Sequence, residues 1–313
     1  MKKTITLLGS LLILSCSNTE YSPKYSDFDN DWERENLIGK VKTIEQYKAN
    51  VTDSRIKDDE MPIIQIKKEF TETGKISYEE YFDSFGRLEY YNRNEFDSKD
   101  YKVNSTSENF VTSSKSVQTN TFDTLISKII SVNINFNDSS YLSGFFKYDK
   151  KDNLIAQLSI ENGDTTSNIF EYNYAVNGKI LSKKQIQRTE NGIYEYLNEF
   201  KYDLGSNLIE LKNISEFSET SITYEYDNKS RIKKIAESNY GKIEKETFFD
   251  KFYNQTLVIF YKNGSIIKEM KFDYELDKTG NWIKRKVFVK EYTRQEIKWI
   301  PIYSEIRKIE YYD

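Results

Sequence analysis

The sequence predicts an all-β protein: a repetitive antiparallel β-hairpin meander of roughly 20 strands in one long sheet. Three observations carry this. The same hairpin recurs as "FKYDKKDNLIAQL" from Phe146, "FKYDLGSNLIELK" from Phe200, "YEYDNKSRIKKIA" from Tyr224 and "FDYELDKTGNWIKRKVF" from Phe272. Aromatic residues make up 15% of the chain, mostly Tyr, and there are only 3 Pro. That composition suits strands, despite a mean hydropathy of −0.74. The first arms alternate cleanly, with Phe170, Tyr172 and Tyr174 on one side and Glu171 and Asn173 on the other.

Each copy is placed in register by the aromatic that ends its first arm. These anchors are Phe70, Phe82, Tyr148, Tyr174, Tyr202 and Tyr226, with Leu276 in the last copy. Six residues later stand Ile76, Leu88, Leu154, Ile180, Leu208, Ile232 and Trp282. The turn between them has its own chemistry. Asp83, Asp149, Asp203, Asp227 and Asp277 follow their anchors, and a short carboxylate accepts bonds from backbone N–H groups two residues on. Three residues further, Gly74, Gly86, Gly178, Gly280 or Asp152 supplies a residue that tolerates positive φ. Ser206 and Ser230 fill that place less well, which predicts two distorted turns. The return arms, such as "LIELKNI", have no clean alternation and their faces stay unassigned.

Open twisted sheets rarely exceed about 10 strands without curling. The expected shape is therefore a curled single sheet, a half-pipe or open barrel with aromatic residues on its concave face. The repeat domain runs over 37–313. A stretch at about 98–121, "SKDYKVNSTSENFVTSSKSVQTNT", reads as a polar insertion of strands with a loose connection.

The N-terminus carries an address. Lys2 and Lys3, an apolar run from Ile5 to Leu14, and Ser15 before Cys16 read as a signal peptide over 1–15, too short to span a bilayer. The segment "ILSC" resembles a bacterial lipobox, which makes Cys16 the lipidation site and 16–36 a lipidated, acid-rich spacer. Such a chain is a lipoprotein on the outer membrane of a Gram-negative cell, its membrane contact made through acyl chains rather than a span.

The chain has 46 basic and 50 acidic residues, one cysteine and no histidine. Without Lys2 and Lys3 the balance is 44 against 50, a net charge of −6. That excludes nucleic acid as an expected partner, since binding it rests on neutralising phosphates. The missing histidine removes Ser-His-Asp and Cys-His catalysis and the usual zinc ligands. No cofactor and no metal is expected. The recurring Asp149/Asn153, Asp203/Asn207 and Asp277/Asn281 are read as turn residues rather than a calcium ladder, because each turn presents too few oxygens.

The register Tyr-Asp-x-x-Gly-x-Leu, as in "FDSFGRL" and "LDKTGNW", resembles the tyrosine-aspartate repeats of the rearrangement-hotspot and teneurin families. The opening "LIGKVKTIEQY", the "DKTGNWIKR" segment and the terminal "IRKIEYYD" are similar to repeat lipoproteins of Bacteroidetes. This resemblance implies a β-hairpin array associated with cell surfaces and with glycan or protein contact.

The expected function is accordingly non-catalytic: an envelope lipoprotein that binds a glycan or an envelope protein through its repeat sheet. Trp282, Tyr90 and Tyr91 are the candidate ligand-binding residues, as rings that stack on sugars; the competing role is cross-strand packing. An envelope carrier or assembly factor with a deep apolar groove is the alternative. A carboxylate-dependent glycoside hydrolase ranks behind both, because adjacent pairs such as Glu79/Glu80 point to opposite faces of a strand. Cys16→Ser should move the protein from the membrane to the soluble fraction of lysed cells; a mutant that still pellets with membranes removes the lipoprotein reading.

Overall fold

The computed structural model describes residues 30–50, 62–123, 125, 127–137, 139–292 and 297–313; Cys16 lies outside them. One helical turn, α1 (Asp31–Arg34), precedes twenty strands. They are β1 (Val41–Asn50), β2 (Ile63–Phe70), β3 (Ile76–Phe82), β4 (Leu88–Phe96), β5 (Lys102–Asn109), β6 (Ser114–Asp123), β7 (Lys128–Phe136), β8 (Tyr141–Tyr148), β9 (Leu154–Glu161) and β10 (Asp164–Tyr174). There follow β11 (Ile180–Thr189), β12 (Gly192–Tyr202), β13 (Leu208–Ser215), β14 (Glu219–Tyr226), β15 (Ile232–Asn239), β16 (Lys242–Phe249), β17 (Gln255–Lys262), β18 (Ser265–Leu276), β19 (Trp282–Tyr292) and β20 (Ile297–Tyr311). The Ser/Thr/Asn-rich stretch after Ser98 supplies β5 and β6.

Each strand runs antiparallel to its chain neighbours, and β1 pairs with β20 as well as with β2. The sheet is therefore a closed barrel of 20 strands, not the half-pipe or open barrel expected from the sequence. The reason is the edge. An open meander leaves two rows of unpaired N–H and C=O groups, and joining the first strand to the last satisfies both rows. That seam runs from Val41↔Tyr311 to Asn50↔Tyr303.

The two rims are built differently. One rim gathers the turns that follow even-numbered strands, and five-residue loops dominate it. In Asp149–Asn153 the Asp149 N–H donates to the Asn153 carbonyl at 2.9 Å. The Asp149 carboxylate accepts from the N–H groups of Lys151 at 2.7 Å and Asn153 at 2.9 Å. Asp203, Asp227, Asp250 and Asp277 repeat this role toward the residue four positions on. The fourth residue is left-handed: Asp152 at φ 63°, Ser206 at 69°, Ser230 at 58°, Gly280 at 104°. Ser206 and Ser230 thus keep the common geometry rather than distorting it. The carboxylate bonds offset a left-handed cost on the order of 1 kcal/mol for a residue with a Cβ.

Among the described residues the opposite rim carries mainly tight connections such as Asn162-Gly163, Tyr240-Gly241 and Asn263-Gly264. The Asp83–Arg87 loop is on this rim, one strand out of phase with the others. Phe82 is therefore an anchor in sequence register but sits at the other end of the barrel from Tyr148 or Tyr226.

A β-bulge beside each anchor explains the six-residue spacing. The register slips between Asn173/Tyr174, Lys201/Tyr202 and Glu225/Tyr226, so that Tyr226 pairs directly with Ile232. Anchor and partner then share a face. Ring hydroxyls close the gaps between neighbouring hairpins. Tyr148, Tyr172, Tyr226 and Tyr274 donate to the carbonyls of Ile129, Leu154, Leu208 and Gln255 at 2.7–2.9 Å. Asn94 and Asn120 do the same toward Ile76 and Lys102. Each bond lies where the ladder has ended, and contributes about 1 kcal/mol.

The turn carboxylates make the fold sensitive to acid. Bonds from the Arg231 side chain and N–H hold Asp227 down at about 2, and Asp203 is lowered by the Asn207 side chain and N–H. Asp83 is lowered through the Arg87 N–H and side chain. Depressed carboxylates stabilise above the unfolded value near 4 and lose that contribution as pH falls through the folded value. The melting temperature should hold from pH 7 to about 5 and drop between about pH 4 and pH 2. Asp227→Asn should flatten part of that drop; an unchanged acid profile would count against these turns as the source.

Candidate functional site: the inner wall

Segment 30–40 crosses one rim. The Asp31 N–H donates to the Gly74 carbonyl in the β2–β3 turn, and the Asn36 amide reaches Phe252 and Asn254 in the β16–β17 turn. Asn281, in the β18–β19 turn and 2% exposed, bonds both the N–H and the carbonyl of Ile38 at 2.7 Å. Gly74 is required here. A Cβ would lie 2.6 Å from the Trp32 ring, and φ is +85°. Trp32 is buried with Leu37, Val41, Ile44, Phe70 and Ile76, and its Nε1 donates to the Val41 carbonyl. These turns belong to one sector of the ring, β16–β20 with β1–β3, so the segment bridges that sector of the mouth as a chord, and the strand face it covers is the inner one.

Strand pairing extends that face around the barrel. Near the capped rim the inner face is apolar and aromatic, with Phe146, Leu154, Phe170, Ile180, Phe200, Leu208, Tyr224 and Ile232 buried. Beneath the cap it is charged. Lys68 binds Glu35 at 2.6 Å, just beyond α1, and the Arg285 Nε binds Glu305 at 2.5 Å. Gln46 joins Glu305 to the Arg307 Nε. The Arg307 guanidinium lies 3.7 Å from the Trp282 ring centroid, and burial lowers it to about 10. Its Nη1 is buried with no partner among the described residues.

Farther from the cap the inner wall between β4 and β14 turns neutral and polar. Ser105 donates to Asn92, Ser107 meets Ser116, Gln185 donates to Asn168, and Asn198 donates to Asn213. Tyr194 and Tyr196 share this face through their pairing with Gln187 and Gln185. Gln185, Gln187, Asn198 and Asn213 are half-buried and Tyr196 is exposed, so these groups face water.

The outer face is charged. Ion pairs cross neighbouring strands at Lys184–Glu195, Lys201–Glu210, Lys212–Glu219 and Lys284–Glu275. A barrel spanning a bilayer needs an apolar outer band, and each Lys or Arg at its midplane costs about 2–4 kcal/mol. This outer face does not fit lipid. No helix among the described residues is long and apolar enough to cross a membrane either.

The candidate rings are not brought together. Trp282 is 6% exposed and covered by Arg307 and Arg285, the latter 4.9 Å from its centroid. Tyr90 is on the inner face beside Tyr81, with centroids 5.9 Å apart. Tyr91 points outward, bonded to Glu108 and packed on Tyr78 and Phe110. Trp282 on β19 and Tyr90 on β4 stand five strands apart around the ring. The amides of the neutral wall escaped the sequence reading because Gln185, Gln187 and Asn213 lie on return arms with no clean alternation, and Asn168 and Asn198, on first arms, look like ordinary strand surface. No group of three or more His, Cys, Asp or Glu among the described residues is arranged to hold a metal.

No family model and no characterised protein matches the chain in sequence. Among solved structures it is similar to a porin-like protein from Bacteroides uniformis, with 13% identity over 86% of this chain and 98% of that one, at a TM-score of 0.35. It is also similar to the Tc holotoxin pore of Photorhabdus luminescens, with 9% identity and a TM-score of 0.33, over 81% of this chain and 16% of that one. Likenesses of this size carry no argument about activity, and the barrel is read from its own strand pairing.

Removing one partner of a buried ion pair leaves the other charge uncompensated, at a cost of about 3 kcal/mol or more. Glu305→Ala should therefore lower stability by about 3 kcal/mol in urea unfolding, while Arg285→Met with Glu305→Leu should recover most of it. Equal stability of the single variant and wild type would show that the pair is not needed to seat the capped wall.

Proposed function

We propose that this protein is a non-catalytic envelope lipoprotein whose barrel binds a neutral, hydroxyl-rich ligand, a glycan, on its inner wall. The observation that carries the reading is the lining. An apolar cargo would need an apolar groove, whereas the solvent-facing wall from β11 to β13 offers Gln185, Gln187, Asn198, Asn213, Tyr194 and Tyr196. Side-chain amides donate to and accept from sugar hydroxyls, and tyrosine rings stack on the C–H faces of pyranoses. This lining disfavours the carrier alternative. The carboxylates beneath the cap are tied to cations, Glu35 to Lys68 and Glu305 to Arg285, which disfavours a pair of catalytic acids.

The lipid anchor at Cys16 and the kinship with tyrosine-aspartate repeat lipoproteins belong to the same proposal. The charged outer face supports them, since it suits a barrel held beside a membrane rather than within one. Purified protein on a glycan array, followed by calorimetry on the best hit, tests the binding. Tyr196→Ala with Gln185→Ala should weaken binding at least tenfold without changing the melting temperature by more than about 3 °C, since Tyr196 is exposed and Gln185 is only half-buried. Absence of any glycan hit, or full affinity in the double variant, would overturn the inner-wall reading.

A further inference from the structure

The rim opposite the cap carries a run of exposed apolar side chains on consecutive hairpin tips. Phe217 on the β13–β14 tip is 74% exposed and Tyr240 on the β15–β16 tip 62%; Ile193, just past the β11–β12 turn on β12, is 64% exposed, and Ile267, three residues past the β17–β18 turn on β18, 62%. Exposed tips of hairpins normally carry Gly, Asn, Asp and Ser, and a contiguous apolar group on a surface marks an interaction site. Charge is also sorted along this arc. Glu190 and Glu216 stand on the first two tips, Lys242 and Lys262 on the last two. None of these four has an ion-pair partner among those given for the described residues, unlike the lysines and carboxylates of the outer wall.

The order of residues on the four tips fixes the occupant. A two-fold axis passing radially between the β13–β14 and β15–β16 tips exchanges the second tip with the third and the first with the fourth. It sets Phe217 against Tyr240 and Glu216 against Lys242, then Ile193 against Ile267 and Glu190 against Lys262. These four apolar groups then meet in pairs and these four charges meet their opposites, the self-complementarity an isologous contact requires. We propose that two copies of this chain associate through these four hairpin tips, rim to rim, with their capped ends pointing outward.

Other occupants fit the arc less well. An anionic bilayer would meet Glu190 and Glu216 unfavourably, and a uniformly charged partner would satisfy only half of the arc. Within one copy the Tyr240 hydroxyl donates to the Phe217 carbonyl at 2.6 Å, which holds the two central tips together as one platform. The contact uses no inner-wall residue but brings the two uncapped mouths together, so it is tested by association alone, whatever the outcome on the glycan array.

Sedimentation equilibrium on the full chain carrying Cys16→Ser, which removes the acylation site, measures the association. A dimer is expected, with Kd rising at higher salt as rim charges are screened. Glu216→Lys or Lys242→Glu alone should raise Kd at least tenfold by placing like charges opposite one another, and the two together should restore it. Ile193→Ser, far from any buried contact, should also weaken it. A monomeric wild type at 100-fold above the concentration used for binding, or a double reversal no tighter than either single variant, would overturn the proposal. Near-ultraviolet circular dichroism of each variant separates loss of association from loss of folding.

Discussion

The pairing of β1 with β20 is the contact on which the rest of the molecule depends. It joins residues near the start of the folded chain to its last strand and turns a meander with two bare edges into a ring with none. The hairpins supply local order, but each buries its aromatic face only when curvature brings neighbours around it. Closure also defines an inside. Trp32 can cover Ile44, Phe70 and Ile76 because these residues have been gathered at one mouth, and Asn281 can hold Ile38 because β19 stands next to β20 and thus near the seam.

The two faces of the ring invert the usual arrangement of a membrane barrel. Lysines and carboxylates cover the outside in cross-strand pairs that are individually worth little, about 0–1 kcal/mol each at exposed positions. Their combined effect is solvation of a long sheet that would otherwise present aggregation-prone strand surface. Inside, between β4 and β14, the polar groups are mostly neutral amides and hydroxyls bonded laterally from strand to strand. The covered end holds the ionic cluster of Glu35, Lys68, Arg285, Glu305 and Arg307, and Lys245 pairs with Glu237 toward the other rim.

The capped rim is the more elaborate of the two. Its five-residue turns do two jobs with one residue pattern. The Asp carboxylate closes the turn through backbone N–H groups, and the residue at its far end, Asn153, Asn254 or Asn281, reaches outward to Tyr174, Asn36 or Ile38. A turn residue thereby becomes a tether. The opposite rim, closed mostly by tight hairpins among the described residues, leaves Phe217 and Tyr240 exposed at its tips instead.

Turn chemistry was legible in the sequence because it is local: Asp149 followed by Asp152 and Asn153 states its hydrogen bonds within five residues, and left-handed geometry at the fourth follows. The hairpin count and the alternating first arms were legible for the same reason. What the chain order could not show was anything set by distant partners. The β1–β20 seam joins residues some 260 positions apart with no local signal, so a closed barrel and a half-pipe have the same hairpin pattern. Phe82 shares the anchor pattern yet lies on the far rim, because one strand of 12-residue spacing reverses direction. Chain order leaves Trp282 open to stacking on a ligand or packing across strands, and only tertiary structure places Arg307 on its face. The sequence by itself determined strands, turns and polarity, since those depend on neighbours along the chain; the ring, its inside and its cap were decided only by tertiary structure, since closure depends on the summed twist and pairing of all twenty strands.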